Sequence, residues 1–193
     1  RGDAGRHRGA LMPGGEILVE GSADDWAGAE MAGGLIRIKG NAGNRAGSAY
    51  RGSKFGMRGG VILIEGNAGH EVGGYMRRGL IVVGGDAQDF LGARMVAGTI
   101  FVFGRVGQRC GGGMKRGTIV SFYPVELLPT FKYDTTFEPV FLRIFFKALK
   151  RRGIEPPPLP PPLGGVGGGG GGRYRRYHGD LAELGKGEIL IPV

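Results

Sequence analysis

Apolar residues recur along this chain with two periods at once. Inside short runs they alternate every second residue, and the runs themselves return every 19 residues. Ile17, Ile36, Ile62, Ile81, Ile100 and Ile119 form one column; Val19, Ile38, Ile64, Val83 and Val102 form a second, which Ser121 ends. A glycine stands two residues before each Ile, at Gly15, Gly34, Gly60, Gly79, Gly98 and Gly117. Further columns hold small residues (Ala4, Ala23, Ala42, Ala68, Ala87, Val106), glycines (Gly9, Gly28, Gly47, Gly73, Gly92, Gly111) and methionines (Met12, Met31, Met57, Met76, Met95, Met114). One step alone is 26 residues long, and its seven extra residues are assigned to a bulge at 50–56.

Alternation over a few residues predicts a short strand, and the Gly-rich stretches between predict turns. A fixed period predicts a repeat architecture. Nineteen residues leave too little chain for a helical crossover between parallel strands. The expected fold is therefore an all-β solenoid, a parallel β-helix with coils of about 19 residues. Each strand would pair with its copy about 4.8 Å away, so that Ile stacks on Ile and Ala on Ala. Parallel crossovers are right-handed in nearly all sheets, which makes right-handed the expected sense. Thioethers could ligate a soft metal only by converging on one point; a linear stack does not converge, so the Met column reads as packing.

The outward columns are less usual. A solvated face should be polar, yet Leu35, Val61, Leu63, Leu80, Val82, Phe101 and Val120 form an apolar stripe. Such a stripe marks a subunit interface or is covered by the chain itself. Arg58, Arg77, Arg78, Lys115 and Arg116 line up at the turns, either as a solvated edge or as an anion or carrier contact.

Residues 1–123 are thus assigned to the β-helix, which opens part-way through a coil, so that further residues are expected upstream. Residues 124–153 are assigned to a capping segment at 127–131 and a helix over 140–149. That helix would start from a capping box of Thr135 and Glu138 with Pro139 in its first turn. Basic residues and Gly153 suit its end. Residues 154–172 read as a Pro- and Gly-rich linker. Residues 173–193 read as an extended basic tail, a docking arm in which Arg173, Arg175, Arg176 and Tyr177 are interface candidates.

Composition adds two points. The 43 glycines among 193 residues would suggest disorder without the period; with it they indicate tight turns. The net charge of +9 favours an anionic partner, but no nucleic-acid-binding motif accompanies it. Catalytic and metal chemistry find little support. His7, His70 and His178 lack ligand spacing, Cys110 has no His or acid near it in sequence, and strings such as Gly66-Asn-Ala-Gly69 lack the strand–turn–helix context of a nucleotide site. A single cysteine fits a reducing compartment, and no stretch is apolar for long enough to cross a membrane.

The columns Gly-x-Ile-x-Val/Ile-x-Gly-Asn/Asp-Ala, with the Gly and Met that follow, resemble a β-helix that two enzymes share. One is formylmethanofuran dehydrogenase, in its C subunit; the other is glutamate synthase, in the C-terminal domain of its large subunit. The resemblance covers about residues 2–123. The segment Leu127-Leu-Pro-Thr-Phe131, with Gly179-Asp180 and Gly185-Lys-Gly-Glu-Ile189, is similar to the C subunit of the dehydrogenase. The basic, Gly- and Pro-rich character is similar to its bacterial relative in the formyltransferase/hydrolase complex of methylotrophs. The resemblance implies a cytoplasmic, non-catalytic scaffold in a one-carbon complex that converts formyl-tetrahydromethanopterin to formate through a methanofuran or methylofuran carrier. It implies three partners, the A, B and D subunits of the same complex, of which A is hydrolase-like and D is the formyltransferase. The metal would sit in a partner and no cofactor in this chain. The C subunit of the archaeal tungsten or molybdenum formylmethanofuran dehydrogenase is the near alternative, and a stand-alone anion-binding solenoid the distant one. The apolar outer columns speak against the last.

Overall fold

The computed structural model describes residues 2–154 and 172–193. It is mostly β, with one long sheet and one short helix. The strands are β1 (Glu16–Val19), β2 (Leu35–Ile38), β3 (Val61–Ile64), β4 (Leu80–Val83), β5 (Thr99–Val102), β6 (Arg116–Ser121), β7 (Lys132–Phe137), β8 (Tyr174–Gly179) and β9 (Lys186–Pro192); α1 spans Leu142–Lys150. The sheet order is β1-β2-β3-β4-β5-β6-β9-β8-β7.

The first six strands pair in parallel, in the register set by the columns: Ile17 on Ile36, Ile36 on Ile62, Ile62 on Ile81, Ile81 on Ile100 and Ile100 on Ile119. A second parallel ladder of single bridges joins Ala4, Ala23, Ala42, Ala68, Ala87 and Val106. Between the two ladders lies the inner core, where the Ile, Val, Ala and Met columns meet. All six methionines of the column are buried there. The space they leave is tight: Gly79 has φ +108°, and a Cβ added to it would fall 2.7 Å from Met57 Cε and 2.7 Å from the Gly60 carbonyl oxygen. The glycine is required on both counts.

Short polar side chains bind the turns of successive coils. Asn41 Oδ1 accepts from the Asn67 N–H (2.8 Å), Asn67 Oδ1 from the Asp86 N–H (2.8 Å), and Asp86 Oδ1 from the Arg105 N–H (2.7 Å). A parallel series runs from Asp25 through Asn44 to His70 (2.7 and 2.8 Å). The Asn/Asp position of the repeat therefore satisfies backbone donors that the turns would otherwise leave unpaired.

The C-terminal region departs from expectation. The segment read as a docking arm is part of the sheet: β9 pairs in parallel with β6, placing Ile189 on Ile119, and β8 lies between β9 and β7 in antiparallel pairing. The signal was in the sequence, because Gly15-Glu-Ile-Leu18 returns as Gly187-Glu-Ile-Leu190. Phe131 is buried in the inner core, and Leu127 and Leu128 pack against it. The linker assigned to 154–172, with its Pro and Gly runs, lies outside the described residues except for Ile154 and Gly172.

The helix forms without its expected capping box. Thr135 is in β7, the N-cap position is Phe141 with no side-chain hydrogen bond, and Glu138 pairs instead with Arg143. The other end is better tied. Gly153 has φ +73°, the Ile154 N–H donates to the Leu149 carbonyl (3.1 Å), and Arg37 donates to the Arg152 carbonyl (2.9 Å) while pairing with Glu65 (2.7 Å). These contacts satisfy the last carbonyls and place positive charge at the negative helix end.

Candidate ligand-binding cleft

The outer apolar stripe is covered by the chain itself. Leu63, Val82, Phe101 and Val120 are buried in a second cluster with Leu142, Phe146 and Leu149 of α1, Tyr174 of β8 and Leu190 of β9. Phe101 lies 5.4 Å from Phe145 and 5.9 Å from Phe146 between ring centroids. Of the two readings the stripe left open, coverage by the chain itself is the one these four residues show within this chain. Leu35, Val61 and Leu80 are partly buried at its margin.

The tail residues are likewise engaged within the chain. Arg176 pairs with Asp134 (2.6 Å from Nε) and lies over the Phe137 ring, and Tyr177 packs edge-on against Tyr133. Arg173 and Arg175 remain exposed. The basic turn residues do not converge. Arg77 lies over the Phe55 ring (4.4 Å), Lys115 is 3.7 Å from Glu183, and Arg58, Arg78 and Arg116 are exposed.

What the structure brings together is a different set. In every coil the residue three places after the Ala column has a positive φ: His7, Trp26, Arg45, Glu71, Phe90 and Arg109. Four places further on, Leu11, Glu30, Tyr75 and Arg94 do the same, and these ten are the positive-φ non-glycine residues of the described chain. Left-handed backbone at a non-glycine residue costs roughly 1–2 kcal/mol. The turn geometry imposes that cost, while seven of the side chains it carries, Trp26, Arg45, Glu71, Tyr75, Phe90, Arg94 and Arg109, line a cleft.

This cleft has a volume of about 740 Å³. Its floor is drawn from the left-handed columns between Trp26 and Arg109, and one wall is the insertion at 50–56, which contributes Tyr50, Arg51, Ser53 and Lys54. Tyr50 is fixed by its ring 5.0 Å from Trp26 and 5.5 Å from His7, by a 2.9 Å hydrogen bond between its hydroxyl and His7 Nδ1, and by its N–H donating to Glu30 (3.0 Å). Burial and the nearby Glu30 carboxylate push its phenol pKa up.

Guanidinium groups lie on aromatic faces along the cleft: Arg45 over Trp26 (4.8 Å), Arg94 over Tyr75 (5.5 Å) and Arg109 over Phe90 (5.3 Å). Cation–π contact holds them in place. Arg45 is paired with Glu71 through two hydrogen bonds of 3.0 and 2.8 Å, and Arg94 donates to the Tyr75 hydroxyl. Among the described residues, no carboxylate lies within ion-pair distance of Arg51, Lys54, Arg94 or Arg109. The cleft can hold an anion. Cys110 is fully buried elsewhere in the core, which pushes its thiol pKa up to about 12. Among the described residues no group of His, Cys, Asp or Glu is placed to hold a metal ion.

Sequence reasoning missed this cleft. Two signals could have found it. One is a column that changes from each coil to the next between the steady Ala and Gly columns, and the other is the single insertion beside it.

A second polar site ties the last coil to the tail. Asp180 accepts hydrogen bonds from the N–H groups of Gly113 (2.9 Å) and Ala182 (2.9 Å). Burial alone would raise its pKa. Those bonds, with the Thr130 hydroxyl close by though short of full hydrogen-bond geometry, outweigh burial and hold it below the usual carboxylate range.

Comparison with known proteins agrees with the repeat. The GXGXG motif family matches residues 1–126. The chain superposes with a TM-score of 0.86 on a chain of the formyltransferase/hydrolase complex (FhcABCD) from Methylorubrum extorquens, whose crystal structure was solved in complex with methylofuran. The two are 41% identical, over 99% of this chain and 68% of that one. No curated protein matches. With its columns stacked into parallel ladders and this match over nearly two thirds of its length, the chain belongs to the GXGXG family.

Proposed function

We propose that this chain is the C subunit of a formyltransferase/hydrolase complex, and that it acts there as a scaffold carrying no active site of its own. The observation that carries the reading is the match at 41% identity across 99% of the chain, which includes the β7–β9 closure and α1 as well as the repeat. In this reading the coils wind as a right-handed solenoid. They hold the hydrolase-like A, the B and the formyltransferase D subunits in fixed relation. The complex works in the cytoplasm and converts formyl-tetrahydromethanopterin to formate through methylofuran, with the metal in a partner subunit.

The physical case for a scaffold is the division of the chain's chemistry. Its one thiol is buried, its two packed clusters are apolar, and its turns are cross-linked by side-chain hydrogen bonds between coils. Such a stack is stiff along its axis, because each coil is held by its neighbours on both sides. Native purification followed by mass spectrometry tests the reading. Co-purification of formyltransferase and amidohydrolase-like chains supports it. Added tungsten or molybdenum and iron–sulfur proteins would replace it with the archaeal dehydrogenase, and a lone monodisperse chain would overturn it.

A further inference from the structure

We propose that the outer face of α1 docks an acidic surface of another protein chain, one that carries an apolar socket at one end. The proposal names a contact of the assembly proposed above and rests on that reading.

The helix has one covered face and one open face. Leu142, Phe146 and Leu149 are buried in the sheath with Phe101 and Tyr174. On the other side Val140, Ile144, Lys147 and Arg151 follow at spacings of four, three and four residues, and all are exposed. That spacing places them in one stripe about 16 Å long. Its two ends differ in chemistry, apolar at Val140 and Ile144 and cationic at Lys147 and Arg151.

The apolar end is out of place in water. Ile144 is 73% exposed and Val140 62%, the two highest values among the large hydrophobic residues of the described chain. One exposed aliphatic residue needs no explanation. Two neighbours on one stripe, at the rim of a closed apolar cluster, make a knob that a partner's pocket can bury.

The cationic end exceeds what the helix requires. The dipole accounts for basic residues in the last turn, where Lys147 and Lys150 lie. The run goes on through Arg151 and Arg152, and residues 139–154 carry five cations and no acid. The carboxylates nearby in the fold are engaged, Glu138 with Arg143 and Glu65 with Arg37. Among the described residues no carboxylate lies within ion-pair distance of Lys147 or Arg151.

The lengthwise arrangement selects a protein. A helix that lies on a membrane separates apolar from cationic residues around its axis, so that the apolar ones reach one depth. Here the separation runs along the axis, and the continuous apolar face is already covered by the sheet. Nucleic acid would take the cations but has no use for the Val140–Ile144 end. The same face of a second copy would add five cations to five. A protein surface with a socket for Ile144, and carboxylates about 5 and 10 Å further along, satisfies both ends at once.

The full tagged chain would be produced in its native host with benzoylphenylalanine in place of Ile144, irradiated in the intact assembly and mapped by mass spectrometry. A crosslink to an Asp- and Glu-rich segment of a co-purifying chain is expected. Lys147→Glu/Arg151→Glu and Ile144→Asp should each lower recovery of that same chain roughly tenfold or more. The charge-conserving Lys147→Arg/Arg151→Lys should retain it. All three variants should melt with the wild-type chain, since the replaced side chains are exposed.

A crosslink to lipid, to nucleic acid, to a second copy or within this chain, residues 155–171 included, would overturn the proposal. So would a crosslink to a segment without acidic residues, or no crosslink at all. Full recovery of every partner by Lys147→Glu/Arg151→Glu would overturn this proposal and leave the assembly role standing. A wild-type chain that brings down no partner would overturn both.

Discussion

The two apolar clusters of this molecule are built on opposite principles. The inner core is made of copies: Ile36, Ile62, Ile81 and Ile100 each sit between Ile residues of the neighbouring strands, and Ala23, Ala42 and Ala68 sit between alanines. The outer sheath is made of single instances. Phe101, Phe103, Phe122, Phe146 and Tyr174 meet once each, brought from strands and a helix far apart in sequence. A contact between copies is visible as a period, whereas a contact between unlike residues has no second occurrence to reveal it. The core therefore sets the architecture, and the sheath decides which surface of that architecture is closed.

The strongest test of the contrast removes equivalent bulk from each cluster. Ile81→Ala leaves a cavity in a column that can close only by shifting every coil beyond it, and should cost about 4 kcal/mol. Phe146→Ala removes a larger side chain from the edge of the sheath, where α1 can settle onto Phe101, and should cost about 3 kcal/mol. Cys110 separates the two responses. Its buried thiol, pushed up to about 12, is unreactive until the stack opens. Thiol labelling at neutral pH should accelerate in Ile81→Ala in step with the lost stability. In Phe146→Ala it should lag, because loosening α1 leaves the inner ladder closed. Equal acceleration would mean that the two clusters unfold as one unit.

Asp180 sets how firmly the last coil holds the tail. Asp180→Ala strands the Gly113 and Ala182 N–H groups and should cost about 2 kcal/mol. The same carboxylate predicts a pH dependence. Its folded pKa lies below the ordinary carboxylate value, so its contribution is fully present above that value, about 3.9, and is lost as pH falls through the folded pKa. Denaturant melts from pH 7 to pH 3 should show a steeper acid loss in the parent chain than in Asp180→Ala. Parallel curves would remove Asp180 from the account of acid stability.

The same contrast explains what could be read from sequence. Strand positions, parallel register and the bulge at 50–56 were all legible, because each is a property of the period. The apolar stripe was legible as a composition but not as a location: nothing at Leu63, Val82 or Phe101 says that residues 142–149 will lie on them. The capping box at Thr135 failed for a related reason. Its local pattern suits a helix start, but pairing with β8 across Arg176 outweighs it and makes Thr135 part of β7. The tail was misread although Gly187-Glu-Ile-Leu190 repeats an earlier tetrapeptide, because an insertion of some fifty residues hides the return of the period. The cleft was missed because its residues differ in every coil, and a search for shared columns discards the columns that vary.

The smallest expected effect has the opposite sign. Tyr174 is fully buried in the sheath between α1, Phe122 and Leu190, and burial pushes its phenol pKa up. Its hydroxyl has no hydrogen-bond partner among the described residues. A buried hydroxyl of the inner core is matched instead: where Ser121 interrupts the Val/Ile column, its hydroxyl donates to the Tyr123 carbonyl (2.8 Å) and accepts from the Tyr123 N–H (3.2 Å). A buried polar group left unpaired costs about 1–3 kcal/mol, part of which the apolar ring recovers. Tyr174→Phe keeps the ring and removes the orphan, and should raise stability by up to about 1 kcal/mol, read as a higher melting temperature. Ser121→Ala, by contrast, should lower it, because it strands the Tyr123 groups. Stabilisation of the first and loss in the second would confirm that the Ser121 hydroxyl is matched where it stands and the Tyr174 hydroxyl is not. A destabilised Tyr174→Phe would show that the hydroxyl is engaged after all, making the sheath as specifically built as the columns it covers.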